Sequence, residues 1–321
     1  MKQRYGFLCA LLAMVGLAWL MPQGGVYGGW FLSEYTKPLA VMVVFLCQGL
    51  SLPTESLKAS VKQVRLHVFI QGMLFLVVPL IVGTMLFWWG DYWSIEMQLG
   101  LCFMAFLPTT LSACIVFIDQ AKGNRAVALF NVTLANSLGV LIPVCVSMIL
   151  LGELLDDGVL RVLFSRIFIL MLLPLGVGQL LRLSLRDWAD DNRILLRRVC
   201  SSMILFVVYC SFAQSMQDCF AEDDGWDAAF EVFGIVVFLW STVNIVAWWG
   251  TKWMGFKPKD RIAAFFCGTH KTLAAGVPLA DAIFSGLSYE VGVILLPILF
   301  YHFLEIMSGG IFVTLLQNKK R

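Results

Sequence analysis

The sequence predicts an all-α integral membrane protein of ten transmembrane helices, arranged as two inverted five-helix repeats in which the fourth and ninth spans are broken and cross. Three observations carry this expectation. The 321 residues are 60% hydrophobic and 14% charged, with a mean hydropathy of +0.83, whereas soluble domains carry about 25% charged residues. Basic residues crowd into every second connection along the chain. Two apolar runs at matching places in the two halves are interrupted by small and polar residues: Leu107-Pro-Thr-Thr-Leu-Ser-Ala113 and Gly268-Thr-His-Lys-Thr-Leu-Ala-Ala-Gly-Val-Pro278. Paired interruptions of this kind mark secondary transporters, because unwound backbone in lipid persists only where protein, water or a solute satisfies it.

A bilayer core of about 30 Å takes roughly 20 helical residues to cross. Apolar windows of that size run near 6–22, 36–52, 66–89, 98–118, 126–151, 162–182, 196–216, 229–253, 262–285 and 291–316. The first follows Lys2-Gln-Arg4 as a signal peptide would, but no small-residue cleavage site comes after it, so it is expected to remain as an uncleaved span. Alternate connections hold 19 of the 23 Lys and Arg residues, while the opposite set holds Glu34, Asp91, Glu96, the acidic run near 153–157, the acidic run near 218–227 and Glu290. By the positive-inside rule both termini face the cytoplasm of a bacterial-type inner membrane or a plasma membrane. The spans divide at about residue 158 into a first repeat, 1–158, and a second, 159–321; an odd number per half makes the repeats inverted. The connection Gly152–Gly158 is short and the longest connections hold about a dozen residues, so residues 1–321 read as a single ten-span transporter unit.

Several function classes fall away. Net charge is +2 and no basic stripe interleaves with aromatics, which excludes nucleic acid as an expected partner and leaves the lipid bilayer and a small solute. The nine cysteines show no CxxC and no metal-ligand spacing, and read as small apolar packing residues. No His/Glu metal motif, Ser/His constellation or pair of intramembrane acids suggests an enzyme or a cofactor; a possible Na⁺ is the only ion implied.

Candidate site residues cluster at the breaks. Pro108 removes a backbone donor, and Thr109, Thr110 and Ser112 place hydroxyls beside the freed carbonyls, oxygens that a hard cation such as Na⁺ would take as ligands. The alternative is a proline kink whose hydroxyls bond back to their own helix. On the ninth span Thr269, His270, Lys271 and Thr272 sit mid-run, and a lysine there costs at least about 2.5 kcal/mol unless it faces a cavity or a partner. Lys271 is therefore expected to bind the substrate's negative group or to stand in for a coupling ion; the competing expectation is snorkelling, or pairing with a structural acid such as Asp281. His270, Thr272 and Asn136 complete the expected substrate-binding set. Gln71 on the third span and the series Asn131, Thr133, Asn136 and Ser137 on the fifth add polar candidates, with helix packing as the alternative to a ligand role for Asn131 and Asn136. His67, His302 and Glu305 read as structural.

Gly49-Leu-Ser-Leu52, Leu66-His-Val-Phe-Ile-Gln71, Gly123-Asn124 with Phe130-Asn131, and above all Phe266–Pro278 give the chain a resemblance to the bile acid:sodium symporter superfamily, in the divergent branch shared by animals and bacteria. The resemblance implies a panel domain of spans 1, 2, 6 and 7, a core domain of spans 3, 4, 5, 8, 9 and 10, and a crossing of the unwound spans in the core. It also implies family sodium sites at Gln71, Thr109, Thr110, Ser112, Asn131 and Thr269. The chain departs from better-known members around the ninth-span break, where Thr269-His270-Lys271 replaces a glutamate and a Gln-Asn pair and supplies no anionic ligand. The expected function is secondary active transport, Na⁺- or H⁺-coupled symport of an organic anion by alternating access. The alternative is a non-transporting regulatory membrane protein acting in calcium or envelope homeostasis.

Overall fold

The computed structural model describes residues 2–51, 63–139, 141–152, 157–218, 224–285, 287 and 289–318. Cys219, Lys58, Lys62, Glu153, Asp156 and the terminal basic run lie outside the described residues. Among the described residues there is no β-strand, only an isolated bridge between Ser285 and Leu287; every regular element is a helix.

Among the described residues, six helical stretches are long and apolar enough to cross a membrane: Val64–Tyr92, Arg125–Val146, Arg161–Asp191, Arg193–Met216, Ala229–Trp253 and Val291–Leu316. The other four expected windows take different forms. Lys2–Leu20 and Ser33–Ser51 are helices of 19 residues each. The remaining two are each split: Ile95–Ala105 is followed by Leu111–Gln120, and Pro258–Thr269 by Leu273–Phe284. Pieces of ten to twelve residues reach only about half of a bilayer core. Pro108 explains the first gap, since it lacks an N–H and drives its predecessor out of the helical region. Thr110 (φ −80°, ψ 123°) and His270 (φ −80°, ψ 145°) are both extended.

Two π-helical turns, Met73–Val77 and Phe168–Leu172, each precede a proline, Pro79 and Pro174. The proline ring would strike the carbonyl four residues back, and widening the helix by one residue relieves that clash. Val78 N–H accordingly bonds to Met73 O, and Leu173 N–H to Phe168 O.

The chain forms two compact units. The first comprises residues 1–52, 146–230 and 274–295. Within it Ser33–Ser51 packs against Leu173–Asp191 and Arg193–Asp218, which in turn receives Lys2–Leu20. The approach at Gly49 and Gly178 is so close that a Cβ on either would collide with the other helix's backbone; small residues let membrane helices pack this way. Gln179 Nε2 donates to Gly49 O at 2.6 Å and Arg182 Nη1 to Leu50 O at 2.7 Å, satisfying carbonyls at the end of Ser33–Ser51.

The second unit comprises residues 53–145, 231–273 and 296–321. Pro258–Thr269 packs there against Val64–Gly72, Leu111–Gln120 and Arg125–Leu138. Its core joins Ile70, Leu74, Phe117, Ile118, Phe265 and Phe266, with Phe117 stacked on Phe266 at 5.4 Å between centroids. Large apolar side chains stay on the outside, Phe87 81% and Trp253 83% exposed among them. In water such surface would be a liability; in lipid it is the solvent-facing side.

Candidate functional site

Each broken helix leaves backbone groups without intrahelical partners, and the second unit accounts for them one by one. Ile95–Ala105 closes with Phe106 N–H to Phe103 O and Leu107 N–H to Met104 O, at 3.3 and 3.1 Å. The next carbonyls then turn to the other break. Pro108 O accepts from Thr272 N–H at 2.8 Å, and Thr110 Oγ1 donates to Lys271 O at 2.8 Å. Thr109 O accepts from Asn136 Nδ2 at 3.1 Å. On the opposite side Thr269 O accepts from the Tyr301 hydroxyl at 2.9 Å, and Lys271 N–H donates to Glu305 Oε1 at 2.5 Å. The two interruptions therefore satisfy each other, as backbone withdrawn from water requires.

Lys271 holds the centre. Its side chain is fully buried, and its ammonium donates to Ala105 O at 2.6 Å, Leu107 O at 2.9 Å and Leu74 O at 3.0 Å. An ammonium has three donors, and all three are used. Ala105 and Leu107 supply the negative C-terminal end of a half-helix, where a cation is favoured. Leu74 O is available for a local reason: Val78 N–H, its α-helical donor, is taken by Met73 O in the π-turn, and the next residue, Pro79, has no N–H.

The expected residues fall into separate groups. Lys271, Thr110, Thr272, Thr109 and Asn136 meet across the breaks through the bonds above. His270 Nδ1 lies 3.3 Å from Thr269 Oγ1, while its buried Nε2 has no hydrogen-bond partner among the described residues. Thr269 Oγ1 also bonds back to Phe265 O at 3.0 Å. Gln71 and Asn131 form a distinct polar contact: Gln71 Nε2 donates to Asn131 O and Oδ1 at 3.2 and 3.3 Å, and Asn131 Nδ2 meets His67 Nδ1 at 2.8 Å. Gln71 Oε1 is a buried acceptor without a partner among the described residues. Ser112 lies on Leu111–Gln120, with its side chain outside the described residues.

Asp281 belongs to the first unit and pairs with Lys37, Nζ to Oδ1 2.8 Å, both side chains buried. The competing expectation, Asp281 as the partner of Lys271, gives way, because the Lys271 ammonium is taken by carbonyl oxygens. Reading the sequence also missed Glu305 and Tyr301 as partners of the break. Glu305 Oε2 lies 3.3 Å from His302 Nδ1 three residues earlier, a spacing visible in the sequence, but nothing local ties either residue to Lys271. A cleft of about 570 Å³ lined by Gln63, Asn124 and Lys257–Asp260 opens at the start of Pro258–Thr269, roughly 18 Å of helix from the break.

The chain is similar to known proteins over nearly its whole length. Residues 5–318 match the SBF-like CPA transporter family. The chain is 28% identical to sodium/bile acid cotransporter 7 of Rattus norvegicus over 97% of its own length and 92% of the relative's, and 29% identical to that of Danio rerio over 97% and 93%. An uncharacterised protein of Pseudomonas aeruginosa is 27% identical over 94% of this chain and 89% of the relative.

Proposed function

This chain belongs to the SBF-like CPA transporter family, and from that premise we propose that it carries an organic anion by alternating access, in symport with Na⁺ or H⁺. The observation that carries the proposal is the reciprocal bonding of the two helix breaks, Thr110 to Lys271 O and Thr272 to Pro108 O. Two half-helices, Leu111–Gln120 and Leu273–Phe284, begin there. Helix N-termini carry partial positive charge and favour an anion. Lys271 adds a full positive charge, and the unpartnered His270 Nε2 offers a group for the substrate to bond. The Na⁺ arm is supported by the relatives' printed name, sodium/bile acid cotransporter, and by the orphaned Gln71 Oε1 beside Asn131.

In this reading spans 1, 2, 6 and 7 form a panel and spans 3, 4, 5, 8, 9 and 10 a core. Support comes from the gathering of residues 1–52 with 146–230 in one compact unit and of 53–145 with 231–273 and 296–321 in the other, although residues 274–295, the second half of span nine and the start of span ten, group with the first unit. The ten spans, the inverted repeats and cytoplasmic termini in an inner or plasma membrane are parts of the same proposal. Counterflow tests it: proteoliposomes loaded with an unlabelled organic anion should accumulate the labelled anion, with initial rates that respond to a Na⁺ or a pH gradient. Folded protein that exchanges no anion under either gradient would instead assign the regulatory role.

A further inference from the structure

We propose that the carbonyl oxygens of Leu74, Ala105 and Leu107 form a monovalent-cation site that this chain fills permanently with its own tethered ammonium. The inference deepens the transport reading, since it names the cation at the crossing, and it rests on that reading only for what the site is used for.

Three features make the site a built one. The oxygens come from two different helices, each released by a proline: Leu74 O by the π-turn before Pro79, and Ala105 O and Leu107 O by the break at Pro108. They converge on one point, the Lys271 nitrogen, at 3.0, 2.6 and 2.9 Å. No side chain supplies a ligand to that point among the described residues. Glu305, the acid nearest in the hydrogen-bond network, gives Oε1 to the Lys271 backbone N–H and Oε2 to His302. A set of backbone carbonyls replacing a hydration shell is how membrane proteins hold dehydrated monovalent cations. The separations suit an ammonium or a potassium-sized ion, and a sodium ion would require the carbonyls to close in.

The tether changes the thermodynamics. A free ion would have to be drawn from solution and would stabilise the fold only in proportion to its concentration. Lys271 brings the charge at fixed stoichiometry, so the crossing in the wild-type protein is cation-loaded whatever the salt. Removing the side chain should turn an internal cation into a soluble one.

The test is Lys271→Ala, which deletes a fragment equivalent to propylammonium. Thermal unfolding of purified protein is followed in propylammonium, K⁺, Na⁺ or N-methylglucamine chloride at constant ionic strength. The expected result is a saturable rise of several degrees in the variant with propylammonium and K⁺ over N-methylglucamine, with no such rise in the wild type. Lys271→Met, which fills the volume without charge, should respond to none of them. Should Lys271→Ala yield no folded protein in N-methylglucamine, recovery of folded protein by expression and purification in propylammonium becomes the readout. Equal instability in every salt, no recovery, or an equal response of Lys271→Met would overturn the proposal. Because unfolding and not flux is measured, a failed cation site leaves the counterflow result standing, and a failed counterflow leaves the site standing.

Discussion

Thr110→Val gives the sharpest test of how the two breaks support each other. Valine keeps the shape of the side chain and removes only the hydroxyl that donates to Lys271 O at 2.8 Å. Thr110 is 7% exposed, so no water replaces the lost donor freely. A typical hydrogen bond contributes about 0.5–1.5 kcal/mol net, but leaving a buried acceptor unsatisfied costs about 1–3 kcal/mol. Hydrogen bonds between membrane helices average only about 0.6 kcal/mol, because in the reference state the polar group finds another partner. Here the acceptor is a backbone carbonyl released by a helix break, and in a regular helix it would regain an intrahelical donor, so an intermediate loss of about 1–2 kcal/mol is expected. That shifts the unfolding equilibrium roughly tenfold, since about 1.4 kcal/mol is one decade.

The control is Thr84→Val. Thr84 Oγ1 bonds at the same 2.8 Å, but to Leu80 O of its own uninterrupted helix, so the change should stay within about 0.5 kcal/mol. Reversible unfolding in mixed micelles with rising denaturing detergent measures both. Equal losses in the two variants would refute the claim that the hydroxyl matters because it crosses between breaks.

Other perturbations separate the remaining interactions. Gly139→Ala would put its Cβ into the Pro108 ring; a ring at a helix break cannot swing away, so a loss of about 1–3 kcal/mol is expected, whereas Gly72→Ala, with open space around it, should be neutral or stabilising in the same detergent titration. Tyr301→Phe removes the donor to Thr269 O and should lower stability by about 0.5–1.5 kcal/mol, with no loss if the hydroxyl is idle. Lys37→Met strands Asp281 and should destabilise by about 3–5 kcal/mol, while the double change Lys37→Met with Asp281→Leu should recover most of it; no recovery in the double variant would contradict the pairing. The Glu34 carboxyl, on a half-buried residue at the start of Ser33–Ser51, is held below its ordinary 4.5 chiefly by the Gly28 N–H. A depressed carboxyl adds stability above its unfolded value and loses it as pH falls through the folded value, so acid titration below about pH 4.5 should weaken the wild type slightly more steeply than Glu34→Gln.

Composition and local spacing are enough to show an apolar, helical, multi-pass chain and where two of its helices stop. Pro108 and the Gly268–Thr272 stretch carry that information locally, since a missing N–H or a small polar run changes backbone energetics within one turn. The π-turn before Pro79 that frees the Leu74 carbonyl is not read from the sequence and comes with the structure. Only the tertiary structure decided the partners: that Lys271, nearly two hundred residues from Leu74, would place its ammonium on that carbonyl and on Ala105 and Leu107, and that Asp281 would answer Lys37 instead. The physical reason is that a buried charge or carbonyl must be satisfied by whatever the fold brings within hydrogen-bonding distance. Periodicity and spacing describe one helix at a time, whereas satisfaction at the break is a property of several helices at once.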